Sequence, residues 1–144
     1  MTKDVMISIR GLQFMENVAG DDVETVQQGE YYFKNGNHYL LFDEYMEGFR
    51  EPAKNVMRFR EKELSLTKRG LLNVQMFFDE GKKSLSQYRT PFGGIMIGLD
   101  TGRVEVIEKE DGIRLEVDYA LEANYQYVAD CRIVVEATEK GSSL

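Results

Sequence analysis

The residue types that do acid, base or nucleophilic work are sparse in this chain. It has one histidine, His38, and one cysteine, Cys131, about 90 positions apart, so no local nucleophile and base pair is offered. His38 opens a strand directly after a turn, which is the place of a solvated or edge residue. Cys131 falls in the apolar register of the last strand and reads as a small inert hydrophobe, with no histidine or basic cluster beside it to lower its pKa. Carboxylates recur at period two in Glu61 and Glu63, Glu108 and Glu110, and Glu116 and Asp118, which puts each pair on one face of a strand. Each pair alternates with apolar residues, so the expected place is a solvated outer wall. Asp43-Glu44 is a better suspect, because it ends a very apolar strand near the mouth of the fold.

The chain contains no Gly-x-Ser-x-Gly, phosphate-binding glycine loop, dinucleotide fingerprint or Cys-x-x-Cys. No catalytic residue, metal ligand set or cofactor is expected, and an enzyme built from carboxylates and tyrosines alone is the remaining enzymatic alternative. The one charge asymmetry lies in 50–69. There Arg50, Lys54, Arg58, Arg60, Lys62, Lys68 and Arg69 face only Glu51, Glu61 and Glu63, in a chain of net charge −7. If Met57 and Phe59 point inward, Arg58 and Arg60 point outward and form a surface patch. An inward Arg58 would instead anchor a ligand carboxylate.

The elements that position these residues are strands. Val5, Ile7 and Ile9 open the chain in strict alternation, and Ile113, Leu115, Val117, Tyr119 and Leu121 repeat the pattern near its end. Tyr125, Tyr127, Ala129, Cys131, Ile133 and Val135 extend it. Eleven strand segments are expected, near 4–12, 23–34, 37–46, 53–61, 63–69, 73–79, 84–90, 94–100, 103–110, 113–122 and 125–136. Turn chemistry joins them at Asn35-Gly36, Glu80-Gly81, Asp100-Thr101-Gly102 and Asp111-Gly112. Residues 15–22 read as a polar loop, and 44–52 as a crossing loop or short helical turn. Pro52 and Pro91 fall at strand margins. So many sequential antiparallel strands leave exposed edges unless the sheet shuts, and glycines within strands, at 11, 29, 94 and 98, supply the bends that closure needs.

Length fits one domain, 1–144. The N-terminus mixes charges of both signs around a short apolar run, which is neither a signal peptide nor a membrane span, and a cytoplasmic protein with a reduced thiol is expected. The acidic balance works against bulk attraction to nucleic acid or anionic membrane.

Gly29-Glu30-Tyr31-Tyr32-Phe33-Lys34, Tyr39-Leu40-Leu41-Phe42-Asp43-Glu44, Arg69-Gly70 with Asn73, Met76, Phe77 and Gly81, Tyr88 through Thr90, Phe92-Gly93 and Asp118-Tyr119 follow one another in order and spacing. In these the chain resembles the YwiB-like family of bacterial proteins. The resemblance implies a lipocalin-like (calycin) β-barrel from low-GC Gram-positive bacteria. It brings no catalytic residues.

The expected fold is all-β, a mostly antiparallel up-and-down barrel of about 10 strands. The expected function is non-enzymatic binding of a small apolar or amphipathic ligand in the lumen. Met57, Phe59, Met76, Phe78 and Tyr119 would form the wall, with Arg58 or the hydroxyls of Tyr31, Tyr88, Tyr119 and Tyr127 as polar anchors. The alternative is a filled barrel acting as a scaffold or regulator, binding a protein or RNA partner through its outer surface at 50–69.

Overall fold

The computed structural model describes residues 3–11, 24–45, 48, 50–70, 73–90 and 93–140, with the main chain alone for 88–90. The loop expected at 15–22, residues 46, 47 and 49 of that at 44–52, and Pro91 lie outside the described residues. Within them the chain forms ten strands: β1 Asp4–Arg10, β2 Glu24–Lys34, β3 Asn37–Glu44, β4 Ala53–Arg60, β5 Glu63–Arg69, β6 Val74–Asp79, β7 Lys82–Thr90, β8 Gly93–Lys109, β9 Gly112–Ala123 and β10 Gln126–Glu139. All pair antiparallel in one sheet of order β6-β5-β4-β3-β2-β1-β10-β9-β8-β7. Every neighbour is a sequence neighbour except β1 and β10, which meet with Ile7 opposite Ala137 and Ile9 opposite Val135. That pairing wraps the meander into a nearly closed barrel.

The tight turns follow their residues. Asn35 and Gly36 take φ of 52° and 79°, the left-handed pair that a two-residue hairpin requires. Asn124 and Tyr125 do the same between β9 and β10 at 49° and 68°. Asn124 ties that turn to β8, donating its N–H to the Met96 carbonyl (2.8 Å) and accepting the Met96 N–H on Oδ1 (3.2 Å).

One expected turn does not exist. Residues 94–110, read as two strands around Asp100-Thr101-Gly102, form the single strand β8, with a bulge between Thr101 and Arg103 where it pairs with β9. Glycine serves here to bend a continuous strand. Thr101 is buried and stays in the ladder opposite Tyr119, so the chain does not reverse.

The ladder is interrupted at one seam. β6 and β7 are joined by only Glu80 and Gly81, yet no ladder connects them. The turn end is held instead by separate bonds. Glu80 N–H donates to the Lys62 carbonyl (2.9 Å), Gly81 N–H to the Thr101 carbonyl (2.8 Å), and Val104 N–H to Glu80 Oε1 (3.0 Å). Along the strands, the Ser84 hydroxyl donates to the Phe77 carbonyl (2.6 Å).

The inward parity of β1, β3 to β6 and β8 to β10 feeds one apolar cluster, with Tyr31 of β2 packed against it. Val5, Ile7, Leu40, Met57, Phe59, Leu66, Met76, Phe78, Leu99, Val117, Tyr119 and Ile133 all belong to it, and all are buried. Each large side chain so buried contributes about 1.5–3 kcal/mol of transfer free energy. The centre of the barrel is therefore filled with side chains.

Candidate functional site

The inward parity turns polar toward one end of β2 to β5. On β5, Leu64 and Leu66 face the core and Lys68 continues their face; on β4, Asn55 sits between Ala53 and Met57. On β3, Glu44 follows His38, Leu40 and Phe42. The register brings these together, with Asn55 opposite both Phe42 and Lys68, and Glu44 opposite Ala53. Across β4, Lys68 Nζ reaches Glu44 Oε1 at 2.7 Å, with the lysine side chain 16% exposed. Asn55 is 2% exposed and donates through Nδ2 to the Ala53 carbonyl (3.4 Å).

These groups border an open cleft of about 880 Å³. Ile9, Gly29, Leu41, Phe42 and Val56 give it apolar wall; Thr25, Gln27, Gln28, Asn55, Glu44 and Lys68 give it polar groups. Gly29 is a packing requirement of that wall. A Cβ there would collide with Ile7 Cδ1 and lie 2.7 Å from the Leu41 carbonyl oxygen. On the outside of the same rim, Lys54 Nζ lies 3.8 Å from Asp43.

The residues expected to line the lumen separate into groups. Met57, Phe59, Met76, Phe78 and Tyr119 are brought together, but as packed core, each 4% exposed or less. None of Met57, Phe59, Met76 or Phe78 lines a described cavity. Tyr31 is half-buried against that core. Arg58 stands exposed on the outer wall, because it alternates with inward Met57 and Phe59, so it is not a lumenal anchor. Tyr127 is also outside, 64% exposed. The ladder shifts register between Tyr127 and Ala129, and that one extra residue moves Tyr127 off the face of Cys131 and Ile133. The Tyr88 side chain lies outside the described residues.

His38 is not the solvated residue its position after a turn predicts. It is 7% exposed, stacked on Phe59 at 5.2 Å between ring centroids, with Tyr31 Oη 2.7 Å from Nδ1. Burial lowers its pKa, opposed by the charge of Glu108. Cys131 is half-buried beside Tyr119, and burial pushes the thiol upward, away from nucleophilic character. Among the described residues the Tyr119 hydroxyl and Thr101 Oγ1, neighbours across β8 and β9, are buried without an oxygen or nitrogen hydrogen-bond partner, and the phenol has the weakly bonding Cys131 thiol beside it. Burial raises the Tyr119 pKa far above the phenol range.

The outer carboxylates are occupied by arginines. Glu116 accepts from Arg103 (2.7 Å) and Arg114 (2.6 Å), and Asp118 from Arg132 (2.6 Å) and Arg103 (2.8 Å). The hydrogen bond from Arg103 holds Glu116 below the usual carboxylate range, and that from Arg132 does the same for Asp118. In the basic stretch, Lys54 pairs with Asp43, Arg60 with Glu63 and Lys68 with Glu44. Among the described residues no cluster of three or more His, Cys, Asp or Glu could hold a metal ion. Among them, too, no helix is long and apolar enough to cross a membrane.

The fold is that of a lipocalin-like meander barrel, all-β and antiparallel, nearly closed, with its first and last strands paired and its centre filled. Residues 7–135 match the family described as Domain of unknown function (DUF1934), and the chain belongs to it. Among solved structures it is similar to the ywiB protein from Bacillus subtilis, at TM-score 0.76 and 18% identity over 97% of this chain and 93% of that one. No curated protein matches the sequence. At that identity the likeness establishes the fold, and the resemblance carried by Gly29 to Lys34 and its companions is to the same protein type.

Proposed function

We propose that this barrel is a binding protein for a small amphipathic molecule, held in the cleft at the end of β2 to β5 and not in the centre of the lumen. The observation that carries this reading is the change of inward parity from apolar to polar at one end, over an open volume of about 880 Å³. A site of this kind orients a ligand with few polar groups against an apolar wall. Ile9, Phe42 and Leu41 supply the wall. Lys68 supplies a cation, Glu44 an acceptor, and Asn55 and Gln27 amides, so a ligand head group meets both donors and acceptors. Filling of the centre by Phe59 and Phe78 supports placing the ligand at the end.

The test is native mass spectrometry of protein purified from its own cells, with titration of the fluorescent amphipathic anion anilinonaphthalene sulfonate. Thr25→Trp fills the cleft from its exposed margin without touching the core. The expected result is an adduct mass lost on denaturation and saturable dye binding, both abolished in T25W. A ligand-free mass together with dye binding that T25W leaves unchanged overturns the reading.

A further inference from the structure

The ion pair in the cleft joins two unequal partners. The Lys68 side chain, at the inward parity of Leu64 and Leu66, is 16% exposed, whereas that of Glu44, the last residue of β3, is 42% exposed. The carboxylate can therefore turn out to water more readily than the ammonium can. The bond between them is also poorly made. Glu44 Oε1 is shut off from solvent and lies 2.7 Å from Lys68 Nζ, yet it accepts no directed hydrogen bond among the described residues. Such an atom has lost its water without gaining a full bond in return.

Beside this pair, Asn55 lies opposite Lys68 in the ladder of β4 and β5, and it is buried. Among the described residues its side chain makes one bond, the long one of 3.4 Å from Nδ2 to the Ala53 carbonyl, so a second amide hydrogen is left to donate. Ammonium and amide together make a seat for a carboxylate, and the carboxylate of Glu44 already sits against one half of it. The other two acids of the lining, Glu30 and Asp43, each keep a lysine of their own, Lys3 and Lys54. When Glu44 turns away, one positive charge is left without a partner, which matches a monoanion. A phosphate dianion would carry a second charge toward three acids and find no second cation for it.

We infer that the cleft selects amphiphiles with a carboxylate head group, which displaces Glu44 from Lys68 and takes a second hydrogen bond from Asn55 Nδ2. Glu44 is then a tethered competitor for the seat, and it lowers ligand affinity by the share of time it spends there. This rests on the reading of the cleft as a ligand site and adds the head group. The tail lies on Ile9, Leu41 and Phe42.

The probes are octanoate, octanol and octylamine, which share one tail, titrated by calorimetry below their micelle concentrations into the full chain. The variants are Glu44→Gln, Lys68→Met, Asp43→Asn and the cleft-filling Thr25→Trp, with circular dichroism confirming that each folds. Octanoate should bind wild type about tenfold more tightly than octanol, and octylamine should bind most weakly. E44Q keeps the shape of the competitor and removes its charge, so it should widen the preference for octanoate over octanol by about another tenfold. D43N makes an equal change of charge on the outer side of the rim and should move that preference far less. K68M should abolish it; if K68M does not fold, E44Q and the head-group series decide alone. Octanol binding as tightly as octanoate, or a preference that E44Q leaves unchanged or that D43N widens equally, overturns the inference. The cleft then still stands as a ligand site provided T25W blocks the probes. Probes that bind T25W as they bind wild type, or that do not bind at all, overturn both.

Discussion

Truncating Phe78 to alanine decides whether the barrel is filled or hollow. Phe78 is fully buried, lies opposite Leu64, and meets the Tyr119 ring edge-on at 4.9 Å between centroids. In a packed core a Phe→Ala change costs about 3–5 kcal/mol, because the neighbours cannot close the void, and loss of the aromatic pair contributes about 0.5–1.5 of that. A ring bordering an open lumen would lose far less, since no cavity is created. For a chain of this size 1 kcal/mol corresponds to about 3–4 °C, so the melting temperature should fall by about 10–15 °C. With a urea m-value of about 2 kcal/mol/M, the midpoint should drop by about 2 M. The assay is urea unfolding followed by tyrosine fluorescence and circular dichroism. Coincident transitions with unchanged slope and a loss below about 1.5 kcal/mol would refute the filled centre.

Tyr119→Phe should be neutral or stabilising by up to about 1 kcal/mol, because it deletes a buried hydroxyl that has no oxygen or nitrogen partner among the described residues and only a weak thiol contact with Cys131; a clear loss on thermal melting would show that this oxygen is well bonded. Gly29→Ala should destabilise by about 2 kcal/mol or more in the same melts, since the new methyl meets Ile7 and the Leu41 carbonyl; a variant as stable as wild type would show that this wall yields. For His38 the folded-state pKa lies below the unfolded value of about 6.5. Its contribution is therefore complete above that pH and is lost as pH falls through the folded pKa. Urea midpoints measured between pH 7.5 and 4.5 should decline, and His38→Gln should flatten the upper part of that decline; an unchanged profile in H38Q would place the titrating group elsewhere.

The strands, the Asn35-Gly36 hairpin and the meeting of first and last strands were legible because period-two burial and turn residues act locally. Two bulges were not. Asp100-Thr101-Gly102 carries turn residues, yet Thr101 is buried and stays in the ladder opposite Tyr119, which keeps β8 continuous through them. The extra residue between Tyr127 and Ala129 leaves no local mark, and it turned a wall residue into a surface one. His38 was misplaced because its burial depends on Phe59 and Tyr31, which reach it only across the sheet. For the cleft, Asp43-Glu44 drew attention by ending an apolar strand, and Glu44 does line it. Lys68 and Asn55 were missed although their parity was visible, since Leu64, Leu66, Lys68 and Ala53, Asn55, Met57 each share one face. Polar residues standing at apolar parity near strand ends are the signal that would have found them.

Pairing β1 with β10 also sets a condition on biosynthesis. β1 acquires β2 early, but its other edge, with Ile7 and Ile9, waits for Ala137 and Val135 on β10, which follows every other described strand in the chain. Contacts so distant in sequence form slowly and late. A nascent or truncated chain ending before β10 is an unrolled apolar sheet with a sticky border, so premature termination there should produce aggregates instead of a shorter barrel.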